Sequence, residues 1–349
     1  MKNGYDSYTE LSNCTFLKTI LMLSVVLYHS VVFWTEKWLV VQSPVITSRV
    51  LCFFAEYLNS FHIYGFALVS GYIFYYVKYE KCGYRTFGAF FINKVKRLLV
   101  PYLFVAITWV IPISLIFFNF DQINYFRNYF FAVSPSQLWF LVMLFSLFVL
   151  FYIISDFVKK HVICGSIIML FVYCAGIIGN MLFPNVFQIF RALTFMPIFW
   201  IGFFIRQKGS TYLRKIPLFV YVLLHLALFV LFVKVKSLDV LVFKLLSVGL
   251  NFGVNVIGAL MSFVVLQKIA DIVKWQKSKV LVFLGENSMP VYLFHQQIIY
   301  FTIYLFNGAI NPYFHSAVNF IVSLVVSLVL SCILKKYKLT RFLIGERYL

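Results

Sequence analysis

The chain has 349 residues, of which 62% are hydrophobic and only 12% charged, with a mean hydropathy of +0.92. A soluble domain of this length carries about twice that share of charge, so a soluble fold is excluded and a polytopic membrane protein is expected. The net charge of +19 does not point to nucleic acid, because the basic residues cluster in short loops between apolar runs, where they set topology.

Ten apolar runs predict membrane spans at 16–35, 49–77, 97–118, 137–157, 162–182, 187–205, 216–233, 243–267, 280–306 and 314–334. The expected fold is an all-α integral membrane bundle of about ten transmembrane helices, forming one domain over 1–349 with no separate soluble part. The segment before the first run is polar and shows no cleavable signal pattern. The second run is too long for one upright helix, so it tilts or breaks near Gly65 or at Ser70-Gly71. With the amino terminus inside, 23 of the 30 Lys and Arg residues fall on the inner side. That excess predicts that both termini are cytoplasmic. The six cysteines show no metal-ligating or CxxC spacing and read as small core residues.

The first run is polar at two places. Lys18 and His29 are eleven residues apart, which returns them to within about 20° of one helix face and separates them by about 16 Å in depth. An ionisable group inside a span is costly and marks a candidate site. Imidazole titrates near pH ~6.5, so His29 suits a general base. An interhelical hydrogen bond explains it equally from position alone. In the second run Arg49, Glu56 and Asn59 form a stripe expected to face the interior, with His62 one turn on. A surface Arg49–Glu56 pair is the plainer alternative. Ser70-Gly71-Tyr72 follows, where glycine permits close backbone approach.

Before the third span, Lys94 and Arg97 are spaced i,i+3 and so are expected on one helix face. Pro101 cannot donate to the Arg97 carbonyl, so the helix should weaken there. Two cations at an inner mouth suit a phosphate, although topology alone also explains them. Gln137 and Trp139 open the fourth span, where Trp139 reads by default as an interfacial aromatic. His225 stands alone in the seventh span and reads as structural. In the ninth, Ser288 and His295 share a face, and Glu286 points away from His295. No P-loop, GxSxG elbow, HExxH or carboxylate dyad is present.

These elements, taken in order, resemble the acyltransferase-3 family of integral-membrane O-acyltransferases over nearly the whole chain. Lys18 and His29 are similar to its basic-x10-His motif, and Ser70-Gly71-Tyr72 to its SGY segment. Lys94 to Arg97, followed by Pro101-Tyr102, resembles its RxxR stretch, with lysine in place of the first arginine. Leu138-Trp139-Phe140 resembles its LWF element. Phe199 to Lys208 resembles its F-x-x-G segment, and Leu284 to His295 its LGxxS…YLxH element. The resemblance implies transfer of an acyl group, most often acetyl, from cytosolic acyl-CoA to a hydroxyl of a cell-surface or lipid-linked glycan. It implies His29 as catalytic base and Lys18, Lys94 and Arg97 as donor-binding cations. Glu56, His62, Ser70, Gln137, Trp139, Ser288 and His295 would be acceptor-side or supporting residues. Acyl-CoA is a co-substrate rather than a bound cofactor. The partners are the glycan and membrane lipid, and the location is a bacterial cytoplasmic membrane. A transporter or flippase for a polysaccharide precursor is the rival class. It predicts paired repeats with matching broken helices, which the sequence does not show.

Overall fold

The computed structural model describes residues 4–36, 42–117, 127–133 and 135–346, with side chains from residue 9 onward. Helix is the regular secondary structure of the described residues, and no strand occurs among them. The helices are α1 (Gly4–Val31), α2 (Arg49–Asn59), α3 (His62–Tyr75), α4 (Phe87–Phe117), α5 (Trp139–Lys160), α6 (Val162–Leu182) and α7 (Ile189–Lys208). They continue as α8 (Thr211–Lys215), α9 (Leu218–Lys236), α10 (Leu241–Val273), α11 (Lys279–Glu286), α12 (Ser288–Phe306), α13 (Pro312–Leu334) and α14 (Lys338–Leu343).

Eight helices among the described residues are long and apolar enough to cross a membrane, two fewer than expected. The chain is a multi-pass membrane protein. The second and ninth runs are the two that differ, because each is divided. The second breaks at Ser60-Phe61 and not at Gly65 or Ser70-Gly71. There the Ser60 hydroxyl donates back to the Tyr57 carbonyl (2.6 Å) and also meets His225 Nε2 (3.1 Å), so the side chain competes with the helical ladder. The ninth breaks at Asn287, whose side chain donates to the Phe283 carbonyl at 2.7 Å. Glu286 therefore ends α11 while His295 lies on α12, and the phase argument that turned one from the other does not apply. The polar triplet His295-Gln296-Gln297 makes α12 less apolar than the other long helices, and all three are buried.

The first helix also differs at its start. It is helical from Gly4, so Lys18 lies four turns inside it and not one. The polar leader is thus part of the fold: Asn13 donates to Asp271 (2.7 Å) and accepts from the Trp275 indole (3.1 Å).

Two compact units make up the chain. One comprises residues 1–35, 49–76 and 198–288. Its core includes Leu17, Val26, Ala67, Leu68, Phe199, Ala259 and Phe263. Here α3 and the second half of α7 cross with almost no side chain between them. A Cβ added at Gly71 would lie 1.8 Å from the Phe199 carbonyl oxygen, and one added at Gly202 would lie 1.9 Å from that of Leu68. Small residues give membrane helices this close approach. Gly71→Val and Gly202→Val are therefore expected to destabilise the detergent-solubilised protein by at least about 1–3 kcal/mol. Gly249→Ala, with nothing within 4 Å of the added carbon, should leave thermal unfolding unchanged or raise it. Equal melting of all three variants would contradict the crossing.

The other unit comprises residues 36–48, 77–197 and 289–349. Its core holds Phe90, Val105, Val110, Met143, Leu147, Phe151, Val291, Ile299 and Ile303. The expected weak point at Pro101 is present: α4 widens into a π-turn over Val95–Leu99 directly before it. A second π-turn at Ala106–Val110 precedes Pro112. Each proline removes one backbone donor, and the wider turn takes up the lost bond.

Candidate functional site

In the first unit, Lys18 and His29 lie on the same unbroken helix, both half-buried. The His29 ring is 5.1 Å from that of Tyr28, and Tyr28 is in turn 5.1 Å from His62. Tyr28 thus bridges the two imidazoles across α1 and α3. His62 is fully buried, and its Nδ1 lies 2.5 Å from the Leu58 carbonyl oxygen. A carbonyl only accepts, so Nδ1 carries the proton and Nε2 is the unprotonated, basic nitrogen. That Nε2 has no hydrogen-bond partner among the described residues. Glu56 on α2 is half-buried and within electrostatic reach of the Tyr28 hydroxyl. The stripe on α2 does not face inward as a whole, because Arg49 and Asn59 are both exposed. Arg49 makes no ion pair among the described residues, so the surface pair with Glu56 does not form. Ser70 lies half-buried on α3. Ser288, at the start of α12, donates to the Gly285 carbonyl at 2.9 Å. Gly285 in turn rests on Thr19, the residue after Lys18.

In the second unit, Lys94 is buried and its ammonium stands 3.4 Å from the centre of the Phe148 ring, with Tyr84 and Phe90 on its flanks. This is a cation–π cage. Arg97 is half-buried. The π-turn beginning at Val95 shifts the helical phase between the two, so the expected shared face is not kept.

Gln137 is buried at the entry to α5. Its side-chain amide donates to the Leu293 carbonyl (3.1 Å) and to Gln297 Oε1 (2.6 Å), and its backbone carbonyl accepts from the Tyr292 hydroxyl. Gln137 therefore ties α5 to the helix that carries His295. His295 is fully buried, with Nδ1 shared between the Val291 (3.0 Å) and Tyr292 (2.9 Å) carbonyls, which again leaves Nε2 as the basic nitrogen. Trp139 is more than an interfacial ring, since the Arg191 guanidinium lies 4.6 Å from its centre.

A buried charged assembly in the first unit lies outside the residues singled out from the sequence. Glu10 is buried and accepts from the Tyr72 hydroxyl (2.5 Å) and from Arg214 (3.3 Å). Arg206, also buried, donates to the same Tyr72 hydroxyl at 2.8 Å. Gln267 donates to the Glu10 carbonyl at 2.9 Å. Tyr72 and Arg206 sit inside motifs already noted, whereas Glu10 lies before the first apolar run and belongs to none of them. With only 11 acidic residues in the chain, a carboxylate within two turns of an apolar run was the available signal. His225, by contrast, packs against Ser60 and Tyr57 and holds the break between α2 and α3.

No group of three His, Cys, Asp or Glu able to hold a metal occurs among the described residues. Among known families, a model described as an acyltransferase domain matches residues 13–336. Neither the curated proteins nor the solved structures return a match.

Proposed function

From the premise that the chain belongs to the acyltransferase-3 family of membrane acyltransferases, we propose that it moves an acyl group, most often acetyl, from acyl-CoA to a hydroxyl of a cell-surface or lipid-linked glycan in a bacterial cytoplasmic membrane. The observation that carries this reading is the placement of His29. It is half-buried on a continuous helix, about 16 Å along the axis from Lys18, with its ring packed on Tyr28 and, through it, next to His62.

Lys18 meets the donor phosphates from the cytoplasmic side, and Arg97 keeps the donor-phosphate role that the family resemblance assigns it. Lys94, inside its aromatic cage, adds positive potential near Arg97 rather than a direct contact. The acceptor hydroxyl reaches His29, which takes its proton as the oxygen attacks the thioester carbonyl. The C–S bond then breaks, and the CoA sulfur leaves with the proton returned by the imidazole. The products are the O-acyl glycan and free CoA. His62 Nε2 accepts from a second acceptor hydroxyl, and Glu56 and Ser70 keep the acceptor-side role that the family resemblance assigns them. Gln137, Trp139 and His295 in the second unit, and Ser288 in the first, keep the supporting role that the family resemblance assigns them.

The experiment is transfer of label from acetyl-CoA to candidate glycans by purified protein, which separates an enzyme from a transporter. Arg97→Ala is expected to weaken acetyl-CoA binding about tenfold, the loss of one charge-assisted contact. A titration with unchanged donor affinity would return Arg97 to topology alone.

A further inference from the structure

One cavity lies outside the acyl-transfer residues. It encloses about 290 Å³ in the first unit, between the loop after α7, the start of α9 and the last turns of α10. Its lining carries four charged side chains of balanced sign, Arg214 and Lys268 against Glu10 and Asp271, together with Ser210 and Gln267. The remaining walls are apolar residues of the 213–218 and 263–264 stretches.

Gln267 is 3% exposed. Its amide nitrogen is committed to the Glu10 carbonyl, which fixes the orientation of the group and leaves Oε1 as the second atom. That oxygen is buried with no hydrogen-bond partner among the described residues. A buried polar atom is rarely left so, and one lining a cavity calls for a donor from a ligand. Lys268 is exposed and has no ion-pair or hydrogen-bond partner among the described residues. Arg214 holds Glu10 only at 3.3 Å and keeps 42% of its side chain exposed. The site therefore offers two cations for an anion, and an acceptor flanked by carboxylates for a cationic donor.

Depth adds a second argument. The start of α9 and the end of α10 are the same end of two antiparallel apolar helices. They place the cavity at the level of lipid head groups, marked by the exposed Tyr212 and by Lys208, Lys215 and Lys274 around it. The volume lies at the lower edge of ligand sites, about 300–1,000 Å³, and suits one polar head rather than a whole chain.

We propose that this cavity binds the zwitterionic head of an aminophospholipid, with its phosphate on Arg214 and Lys268 and its ammonium on Gln267 Oε1 between Glu10 and Asp271. The proposal stands apart from acyl transfer, and neither fails with the other.

The test compares dihexanoyl phosphatidylethanolamine with dihexanoyl phosphatidylcholine, titrated into the full-length protein in phosphate-free detergent. Both carry the phosphate, but only the first has N–H donors. The ethanolamine lipid should bind at least about tenfold tighter. Gln267→Leu should remove that preference. Lys268→Glu, at an exposed position and checked for an unchanged melting temperature, should weaken both lipids. O-phosphoethanolamine binding as tightly as the lipid would support the same site with a soluble aminophosphate as its source, and weaker binding would assign the membrane. Equal affinity for the two lipids, or no effect of Lys268→Glu, would overturn the proposal.

Discussion

His29→Ala lowers acyl transfer by about 10²–10⁴-fold, the usual worth of a positioned general base, while the protein still reaches the membrane and elutes as a folded species. The separation of activity from folding follows from where the ring sits. His29 is half-buried with its ring 5.1 Å from that of Tyr28, so removing it opens a small space beside an aromatic and breaks no helix. His29→Gln retains polarity but no base, and should be as inactive as the alanine variant. Tyr28→Phe keeps the ring contact with His29 and His62, and should retain most activity if the contact is one of packing. A His29→Ala enzyme with normal transfer would remove the base from this account and leave the histidine as a structural hydrogen-bonding group.

Glu10→Ala is expected to do the reverse, acting on the fold before the chemistry. Its carboxylate accepts from Tyr72 and Arg214, and Arg206 is bound to the same Tyr72 hydroxyl. Breaking a buried charged network by removing one partner costs about 3–5 kcal/mol, because the charges left behind are uncompensated. The thermal midpoint in detergent should fall by about 10 °C. Glu10→Gln keeps the acceptor for Tyr72 and loses the charge, so it should fall in between. If both variants melt with the parent protein, the network is solvated and contributes little.

Much of the architecture was legible because the bilayer is a strict solvent. Backbone groups must be satisfied within each span, so long apolar runs translate directly into α1, α4 to α7, α9, α10 and α13. Pro101 likewise announced the loosened turn before it. The breaks were less legible, since a run such as 49–77 stays apolar through Ser60-Phe61. What divides it is a hydroxyl whose second contact, His225, is 165 residues away. Lys18 and His29 could be placed on one helix from spacing. The Tyr28 bridge to His62 could not, because it depends on how α3 packs against α1. Glu10 was missed for a related reason: its partners Tyr72 and Arg214, and Arg206 bound to that Tyr72, come from three later segments, and only the packed structure makes a polar leader part of the core. The shared face expected for Lys94 and Arg97 failed because an α-helical phase was carried across a π-turn.

The most direct test of a donor site at the Lys18 end joined by one helix to a base at the His29 end is a sided assay. Protein is reconstituted into vesicles in one known orientation, with acceptor glycan sealed inside at the face opposite the amino terminus and labelled acetyl-CoA added outside. The account predicts that label accumulates on the enclosed glycan, and that His29→Ala vesicles fail to transfer it. Label appearing only on glycan supplied at the donor's own face, or on none, would contradict it.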